Sequence, residues 1–136
     1  MITAIDTNVL LDVLLPDPMH GPGSAALLEQ ALSEGSLIIC DIVYAELAAF
    51  FQEQRLLQST LKKFDIHLRA FNETTLFRSG QYWKTYRARR KTSDGKTSSR
   101  VLADFLIGTH AQVQADRLLT RDREFYRNYF DLKILA

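Results

Sequence analysis

The sequence has little of what marks a secreted or membrane protein. It contains one cysteine, Cys40, so no disulfide can form within the chain and a reducing compartment is acceptable. No apolar run reaches the roughly 18 residues that a membrane-spanning helix needs. A signal peptide is not predicted, because no Lys or Arg precedes Arg55 and Asp6 and Asp12 interrupt the apolar N-terminal stretch. We therefore expect a soluble cytoplasmic protein with no membrane partner.

Repeats, low-complexity tracts and domain linkers are missing as well. The chain has 136 residues, 17 basic and 16 acidic side chains, 46% hydrophobic residues and 24% charged residues. These are globular averages, and they exclude a disordered tail, a collagen-like fibre and a coiled coil. The length is close to the commonest domain size. We expect residues 1–136 to form a single domain that folds without a disulfide or a structural metal.

Positive charge is distributed unevenly along the chain. The first 54 residues contain no Lys or Arg, whereas residues 84–100 contain seven basic side chains and one acid, Asp94. Such asymmetry hints at an anionic partner, with nucleic acid as one candidate. The simpler interpretation is that this segment contains the solvated end of a helix.

Short apolar runs alternate with segments of helical periodicity. Strands are predicted at residues 2–5, 37–40, 66–71, 117–120 and 132–135. Helices are predicted at residues 9–15, 24–33, 42–54, 56–64, 73–90, 101–115 and 122–129. Alternation of this kind indicates an α/β fold in which helices cover both faces of a parallel sheet. Ligands of such sheets bind beyond the carboxyl ends of the strands.

Four acids are expected near that edge of the sheet. Asp6 ends the first strand, and Asp122 follows the fourth strand by two residues. Glu46 lies on the helix after the second strand, and Asp104 lies in the first turn of an otherwise apolar helix. Burying a lone carboxylate costs several kcal/mol or more, and few basic residues are near these acids in the sequence. The hard oxygen ligands that they provide suit Mg²⁺ or Mn²⁺, which can polarise a phosphodiester.

Each acid also has an ordinary structural interpretation. Asp6 and Asp122 could be helix caps, and Glu46 could be an exposed helical charge. Only Asp104 has a setting that makes an incidental position unlikely. The remaining acids fit a metal site less well, and Asp12 in particular is expected on the exposed side of its helix.

The segments that carry these acids resemble a known family. They read Ile5-Asp6-Thr7-Asn8-Val9-Leu10-Leu11, Val43-Tyr44-Ala45-Glu46-Leu47, Ala103-Asp104-Phe105-Leu106-Ile107-Gly108 and Leu118-Leu119-Thr120-Arg121-Asp122-Arg123-Glu124-Phe125. Their order and spacing resemble the PIN-domain nucleases, and within them the VapC-type toxins of prokaryotic toxin–antitoxin pairs. The resemblance covers essentially the whole chain. No single motif is decisive, but the four together are fairly specific.

The resemblance implies a fold, an activity and partners. The fold is a five-stranded parallel sheet flanked by helices, and the activity is a Mg²⁺- or Mn²⁺-dependent endoribonuclease. The partners are an RNA substrate, a cognate antitoxin protein and a second copy of the chain in a homodimer. By position, Asp6, Glu46, Asp104 and Asp122 match the metal-binding catalytic acids. Asn8 and Thr120 match the polar residues that support them.

The basic segment would lie where RNA phosphates approach. Its candidate contacts are Arg87, Arg89, Arg90, Lys91, Lys96 and Arg100. Residues 91–100 form a longer polar loop than many family members have before the third acid, which leaves the role of this loop in substrate choice open. Nearby Tyr82, Trp83 and Tyr86 could stack on bases. For Trp83, a place in the core or in a dimer interface is the stronger interpretation.

Two other functions remain compatible with the residues. A phosphohydrolase could use Asp6 as its nucleophile, although Asn8 stands where the usual second acid would be. A non-catalytic module could keep the fold in order to bind RNA or protein. Four acids kept together without partners argue against that second alternative, because they repel one another.

Overall fold

The computed structural model describes residues 1–92 and 100–136, and the side chains of all of these except residues 90–92. The strands are β1 (Ile2–Ile5), β2 (Ser36–Ile39), β3 (Ile66–Leu68), β4 (Arg117–Leu119) and β5 (Ile134–Leu135). The helices are α1 (Thr7–Leu14), α2 (Gly21–Glu34), α3 (Asp41–Ala48), α4 (Gln54–Lys63), α5 (Glu73–Thr92), α6 (Leu102–Gln114) and α7 (Arg123–Tyr129). Within these described ranges, no helix has the length and apolar character needed to cross a membrane.

All five strands lie in one parallel sheet in the order β3-β2-β1-β4-β5. Parallel crossovers are almost always right-handed. That rule places α1–α4 on one face of this sheet and α5–α7 on the other. The predicted α/β fold with a five-stranded parallel sheet is confirmed. The order along the sheet also places a topological switch point between β1 and β4, where crevices for ligands form in such folds.

Several element boundaries differ from the sequence prediction: α2 begins at Gly21 and not at residue 24, and β5 begins at Ile134 and not at residue 132. Two further differences have a visible cause in the structure. The helix predicted at 42–54 ends at Ala48, where the Phe50 amide bonds the Leu47 carbonyl in a tighter turn, and α4 begins after an extended Glu53. The apolar pattern hides this break because no Gly or Pro marks it. The strand predicted at 66–71 ends at Leu68, because the Phe71 amide donates to the Asp41 side chain and not to the sheet.

An aromatic cluster fills the α5–α7 side of the sheet. At its centre is Phe105 of α6, which is fully buried. Its ring centroid lies 5.2–6.1 Å from the rings of five neighbours: Trp83, Tyr86, Phe125, Tyr129 and Phe130. Each contact adds packing energy beyond the area that it buries. The cluster therefore fixes α6, whose first turn carries Asp104, against α5 and α7.

Two glycines in helices give a matched test of this packing. A Cβ at Gly108 would lie 2.6 Å from the buried Phe130 ring, whereas a Cβ at Gly80 would meet nothing within 4 Å. We expect Gly108→Ala to lower the free energy of unfolding by about 1–3 kcal/mol through overpacking. We expect Gly80→Ala, on exposed helix surface, to raise it by about 0.5–1 kcal/mol. Urea denaturation of both variants measures the two signs, and a stabilised Gly108→Ala would contradict the close approach of α6 to Phe130.

Candidate active site

Asp6 lies at the switch point between β1 and β4. It follows β1 directly, and its backbone amide donates to the Leu119 carbonyl at the end of β4 (2.9 Å). Its Oδ1 accepts from the Thr7 amide (2.8 Å), so Asp6 is the N-cap of α1. Its Oδ2 accepts from the Thr120 hydroxyl (2.7 Å) and from Asn8 Nδ2 (3.4 Å). The cap and the candidate ligand are therefore one residue, and both predicted supporting residues contact it.

The surroundings of Asp6 disfavour its charge. The residue is 7% exposed, and among the described side chains, those of residues 1–89 and 100–136, no Lys or Arg forms an ion pair with it. Burial, followed by the neighbouring charges of Glu46 and Asp104, raises the pKa of Asp6 to about 6, although the hydrogen bonds from Thr120 and Thr7 oppose this. A bound cation would relieve this penalty.

Glu46 reaches the site through a threonine. It is exposed on α3, and its Oε1 accepts from the hydroxyl of Thr7 (2.7 Å). Thr7 is buried next to Asp6, so one hydroxyl links the first two acids. Sequence analysis gave Thr7 no role at the site. The available signal was its position directly after Asp6, which did not reveal a partner 39 residues away.

Asp104 is the third residue of α6, and its Oδ2 accepts from the backbone amide of Val101 (3.2 Å). The positive end of the helix dipole stabilises a carboxylate at this place. Half-buried, Asp104 is near enough to Asp6 to raise the pKa of that carboxyl.

Asp122 has a counter-ion. Arg100 Nη1 donates to Asp122 Oδ2 (2.7 Å), and Nη2 lies 3.5 Å from Oδ1. The guanidinium carbon of Arg100 also lies 4.3 Å from the Phe125 ring centroid, in cation–π geometry. Asp122 is the N-cap residue of α7, as the capping interpretation expected, but its side chain makes no capping hydrogen bond, so capping does not account for this carboxylate. In this structure the predicted RNA contact Arg100 neutralises the fourth acid.

Tyr126 is a further member of the site that the sequence did not reveal. It is 2% exposed, one turn after Asp122 on α7. Burial, and then the charges of Asp6, Asp104 and Asp122, raise the pKa of Tyr126. The phenol therefore stays protonated and can donate a hydrogen bond among the acids. The sequence places Tyr126 four residues after Asp122. Core residues of a helix have the same spacing, so the sequence alone could not assign Tyr126 to the site.

The structure thus brings Glu46 and Asp104 within electrostatic range of Asp6 and pairs the fourth predicted acid, Asp122, with Arg100. In the part of the chain that the structure describes, no three His, Cys, Asp or Glu side chains already form a group that could hold a metal ion. The donor chemistry still fits a hard divalent cation, because Asp6 is buried and two further carboxylates, those of Glu46 and Asp104, lie within electrostatic range of it. An ion would need these side chains to adjust around it.

The predicted RNA-contacting residues divide into three groups. Arg87 and Arg89 are exposed on α5. Arg100 is engaged by Asp122. The side chains of Arg90, Lys91 and Lys96 lie outside the described residues.

Base stacking on Tyr86 is a wrong prediction, because this side chain is 4% exposed and its ring stacks on Trp83. Trp83 also packs on Phe105, as the core interpretation expected. The Tyr82 ring lies 4.8 Å from that of Phe130, and its hydroxyl donates to Gln112 (3.0 Å). These aromatic rings therefore serve the core of the protein.

The expectation that Asp12 is exposed is also wrong. Asp12 is 4% exposed, and Arg121 Nε and Nη2 donate to its two oxygens at 2.6 and 3.0 Å. Ser24 Oγ donates to Oδ2 as well (2.6 Å). Although burial opposes ionisation, the hydrogen bonds from Arg121 and Ser24 hold the pKa of Asp12 below its usual range. Sequence reasoning missed the pair because its partners are 109 residues apart.

Comparisons with known proteins bear on the whole chain. Solved structures that resemble it include VapBC2 from Rickettsia felis bound to a fragment of its promoter DNA (23% identity, TM-score 0.69, covering 99% of this chain and 98% of that one). VapBC-1 from nontypeable Haemophilus influenzae matches at 20% identity with a TM-score of 0.72, covering 100% and 98%. A toxin–antitoxin complex from Klebsiella pneumoniae matches at 18% identity with a TM-score of 0.65, covering 98% and 96%. A comparison with curated protein sequences finds no match.

The family model gives the more direct result. The model of the PIN domain matches residues 3–131, which include all four acids and, apart from Ile2, the first four strands. The solved structures agree with it at the level of the fold. This chain belongs to the PIN-domain family.

Proposed function

We propose that this protein is a Mg²⁺- or Mn²⁺-dependent endoribonuclease, the VapC-type toxin of a toxin–antitoxin pair. One observation carries the proposal: Asp6 is buried within electrostatic range of Glu46 and Asp104, and no described Lys or Arg side chain pairs with it. It lies in the crevice between β1 and β4 of a PIN fold, where ligands of parallel sheets bind. A buried, ionised carboxylate next to two other acids lowers the stability of the fold. A bound divalent cation would offset that cost.

Asp6, Glu46 and Asp104 would hold the ion directly, and Asp122 would join them if Arg100 released it. Such an ion supplies positive charge that stabilises a phosphodiester as negative charge develops during hydrolysis. The other residues hold this arrangement. Thr7 fixes Glu46, and Thr120 fixes Asp6.

RNA is the proposed substrate because exposed Arg87 and Arg89 supply positive charge on α5, where the hydroxyl of the preceding Tyr86 accepts from the backbone amide of Arg100 (2.8 Å). Such contacts position the sugar–phosphate backbone without reading sequence. The similar solved structures include a toxin–antitoxin complex, which supports an antitoxin as partner. A homodimer and a cytoplasmic location belong to the same proposal.

Cleavage of total cellular RNA by purified, antitoxin-free protein tests the activity. We expect discrete fragments with Mg²⁺ or Mn²⁺ and none with EDTA, because without an ion nothing offsets the charges of the clustered carboxylates and the phosphate. Asp104→Asn, purified in parallel, controls for contaminating ribonuclease. Glu29→Gln, which removes an exposed acid on α2, controls for the loss of one negative charge.

The outcomes separate the alternatives. Cleavage that persists in Asp104→Asn would assign the activity to a contaminant or the site to other residues. If folded protein does not cleave RNA, its melting temperature with Mn²⁺ decides what remains, because a ligand that binds only the native state must stabilise it. An unchanged melting temperature would favour a non-catalytic binding module.

A further inference from the structure

One buried charged group has no part in the proposed ion site. Asp12 lies on the last turns of α1, 4% exposed, where an apolar residue would ordinarily pack. A carboxylate so buried needs a partner, and Arg121 provides one. Arg121 belongs to the three-residue connection between β4 and α7, residues 120–122, which we call the β4–α7 loop.

The geometry of the pair is specific. Two nitrogens of one guanidinium meet two oxygens of one carboxylate at 2.6 and 3.0 Å, which is the bidentate arrangement that only arginine can make. The Ser24 hydroxyl fixes the carboxylate from α2 (2.6 Å). The Asp12 side chain is buried, whereas the Arg121 side chain is 39% exposed. The buried carboxylate therefore fixes the position of Arg121 and, through it, of the β4–α7 loop.

The loop carries two residues of the candidate site on either side of Arg121. Thr120 donates its hydroxyl to Asp6 (2.7 Å) and accepts from the Asp122 amide (3.0 Å). The Arg121 amide itself donates to Asn8 Oδ1 on α1 (3.3 Å). A continuous path of hydrogen bonds and backbone therefore runs from Asp12 through Arg121 to Thr120 and Asp6.

A buried ion pair contributes little net stability compared with apolar side chains of the same volume. A bidentate pair does, however, fix the distance between its two side chains and their relative orientation. We propose that Asp12 and Arg121 are positioning residues for the reaction: their ion pair fixes the β4–α7 loop so that Thr120 holds Asp6 and Asp122 stays at the carboxyl edge of the sheet. This inference rests on the proposed nuclease function for its kinetic consequences, but its structural part can be measured without any activity.

The kinetic test uses Asp12→Asn, Arg121→Gln and Arg121→Lys on a labelled single-stranded oligoribonucleotide that the wild-type protein cleaves. We expect Asp12→Asn and Arg121→Gln to lower kcat about 10–100-fold, the range for a slightly misplaced group, with KM changed less than about threefold. Arg121→Lys keeps the charge without the fork and is expected to recover only part of kcat. The double variant Asp12→Asn/Arg121→Gln is expected to be no slower than the worse single variant, because both changes break one interaction.

The structural test is hydrogen exchange of the metal-free protein. The amides of Arg121 and Asp122 are expected to exchange at least about tenfold faster in Arg121→Gln, because the loop opens locally. The amide of Leu118, which bonds the Lys133 carbonyl between β4 and β5, is the internal reference and is expected to keep its rate. Arg123→Gln, which removes the exposed arginine on the other side of Asp122, is the matched control and is expected to match wild type in both tests.

Two results would overturn the proposal. A raised KM with unchanged kcat and unchanged exchange would show that Arg121 binds RNA phosphate and does not position the loop. A lower melting temperature with wild-type kcat and wild-type loop exchange would show that the pair serves the fold alone. If wild-type protein cleaves no RNA, the nuclease proposal fails separately, and faster exchange in Arg121→Gln still decides whether the pair holds the loop.

Discussion

Replacing Asp6 with Asn is expected to stabilise the metal-free protein at pH 7.5 and to abolish RNA cleavage. The wild-type carboxyl has its pKa raised to about 6 by burial and by the charges of Glu46 and Asp104, so ionising it at pH 7.5 costs folding free energy. The difference between this pKa and the usual pKa of an aspartate corresponds to roughly 2–3 kcal/mol. A neutral amide avoids that cost, and Asn can still accept from the Thr7 amide. The measurements are the melting temperature in EDTA and RNA cleavage in Mn²⁺, where we expect a loss of at least about 100-fold.

The same residue predicts a pH dependence. Between an unfolded pKa near 4 and a folded pKa near 6, the folded protein binds more protons at Asp6 than the unfolded chain does. The stability that Asp6 contributes is therefore full below pH 4 and is lost as the pH rises to 6. Buried His110 acts in the opposite sense, because burial lowers its pKa and charging it below pH 6.5 opposes folding. The difference between wild type and Asp6→Asn isolates the Asp6 contribution, and we expect this difference to grow from pH 4 to pH 7.

Mn²⁺ provides the decisive comparison for Asp6. It should raise the melting temperature of wild type and of Glu29→Gln, because an ion that binds only the native state stabilises it. It should raise that of Asp6→Asn little or not at all. An Asp6→Asn protein that is less stable than wild type in EDTA at pH 7.5 would show that the hydrogen bonds to the carboxylate outweigh its burial. The electrostatic cost that we assign to the ionised Asp6 carboxylate would then be wrong.

The strands of the sheet could be predicted because the pattern that indicates a strand lies within a few consecutive residues. The runs that end at Ile5, Ile39 and Leu119 are short and mostly apolar, as is typical of strands buried on both faces. Their carboxyl ends meet at one edge, so Asp6 could be placed there from the pattern alone. The boundary between α3 and α4 could not be predicted, because the chain turns after Ala48 without a Gly or Pro to mark it.

The contacts that decide the electrostatics of the site are non-local and were not predictable. Asp122 is neutralised by Arg100 across 22 positions, and Asp12 by Arg121 across 109. Both arginines were visible in the sequence as cations near acids. Which acid each would meet depends on side-chain direction in the loops after β4 and before α6. Periodicity carries no information about those directions, so the sequence indicates where acids gather but not which of them is already paired.

Phe105→Ala is expected to cause the largest loss of stability among the substitutions considered. Phe105 is fully buried, and its ring contacts aromatic residues of α5 and α7. Removing it leaves a cavity that helices on both sides hold open, at a cost of about 3–5 kcal/mol. For a chain of this length that is a fall in melting temperature of about 10–20 °C. Thermal unfolding in EDTA measures it.

Phe77→Ala is the matched control, because Phe77 is 69% exposed on α5 and its loss is expected to change stability by less than about 0.5 kcal/mol.

Phe105→Ala is expected to have a functional consequence as well, because Asp104 of the candidate site directly precedes Phe105 in the chain. Phe105 fixes the first turn of α6. Its removal should therefore weaken the binding of Mn²⁺ to the folded protein at temperatures well below melting. If Mn²⁺ affinity at 15 °C stays at the wild-type value while stability falls as expected, α6 is held in place by the rest of the aromatic cluster, and the core and the site are energetically separate.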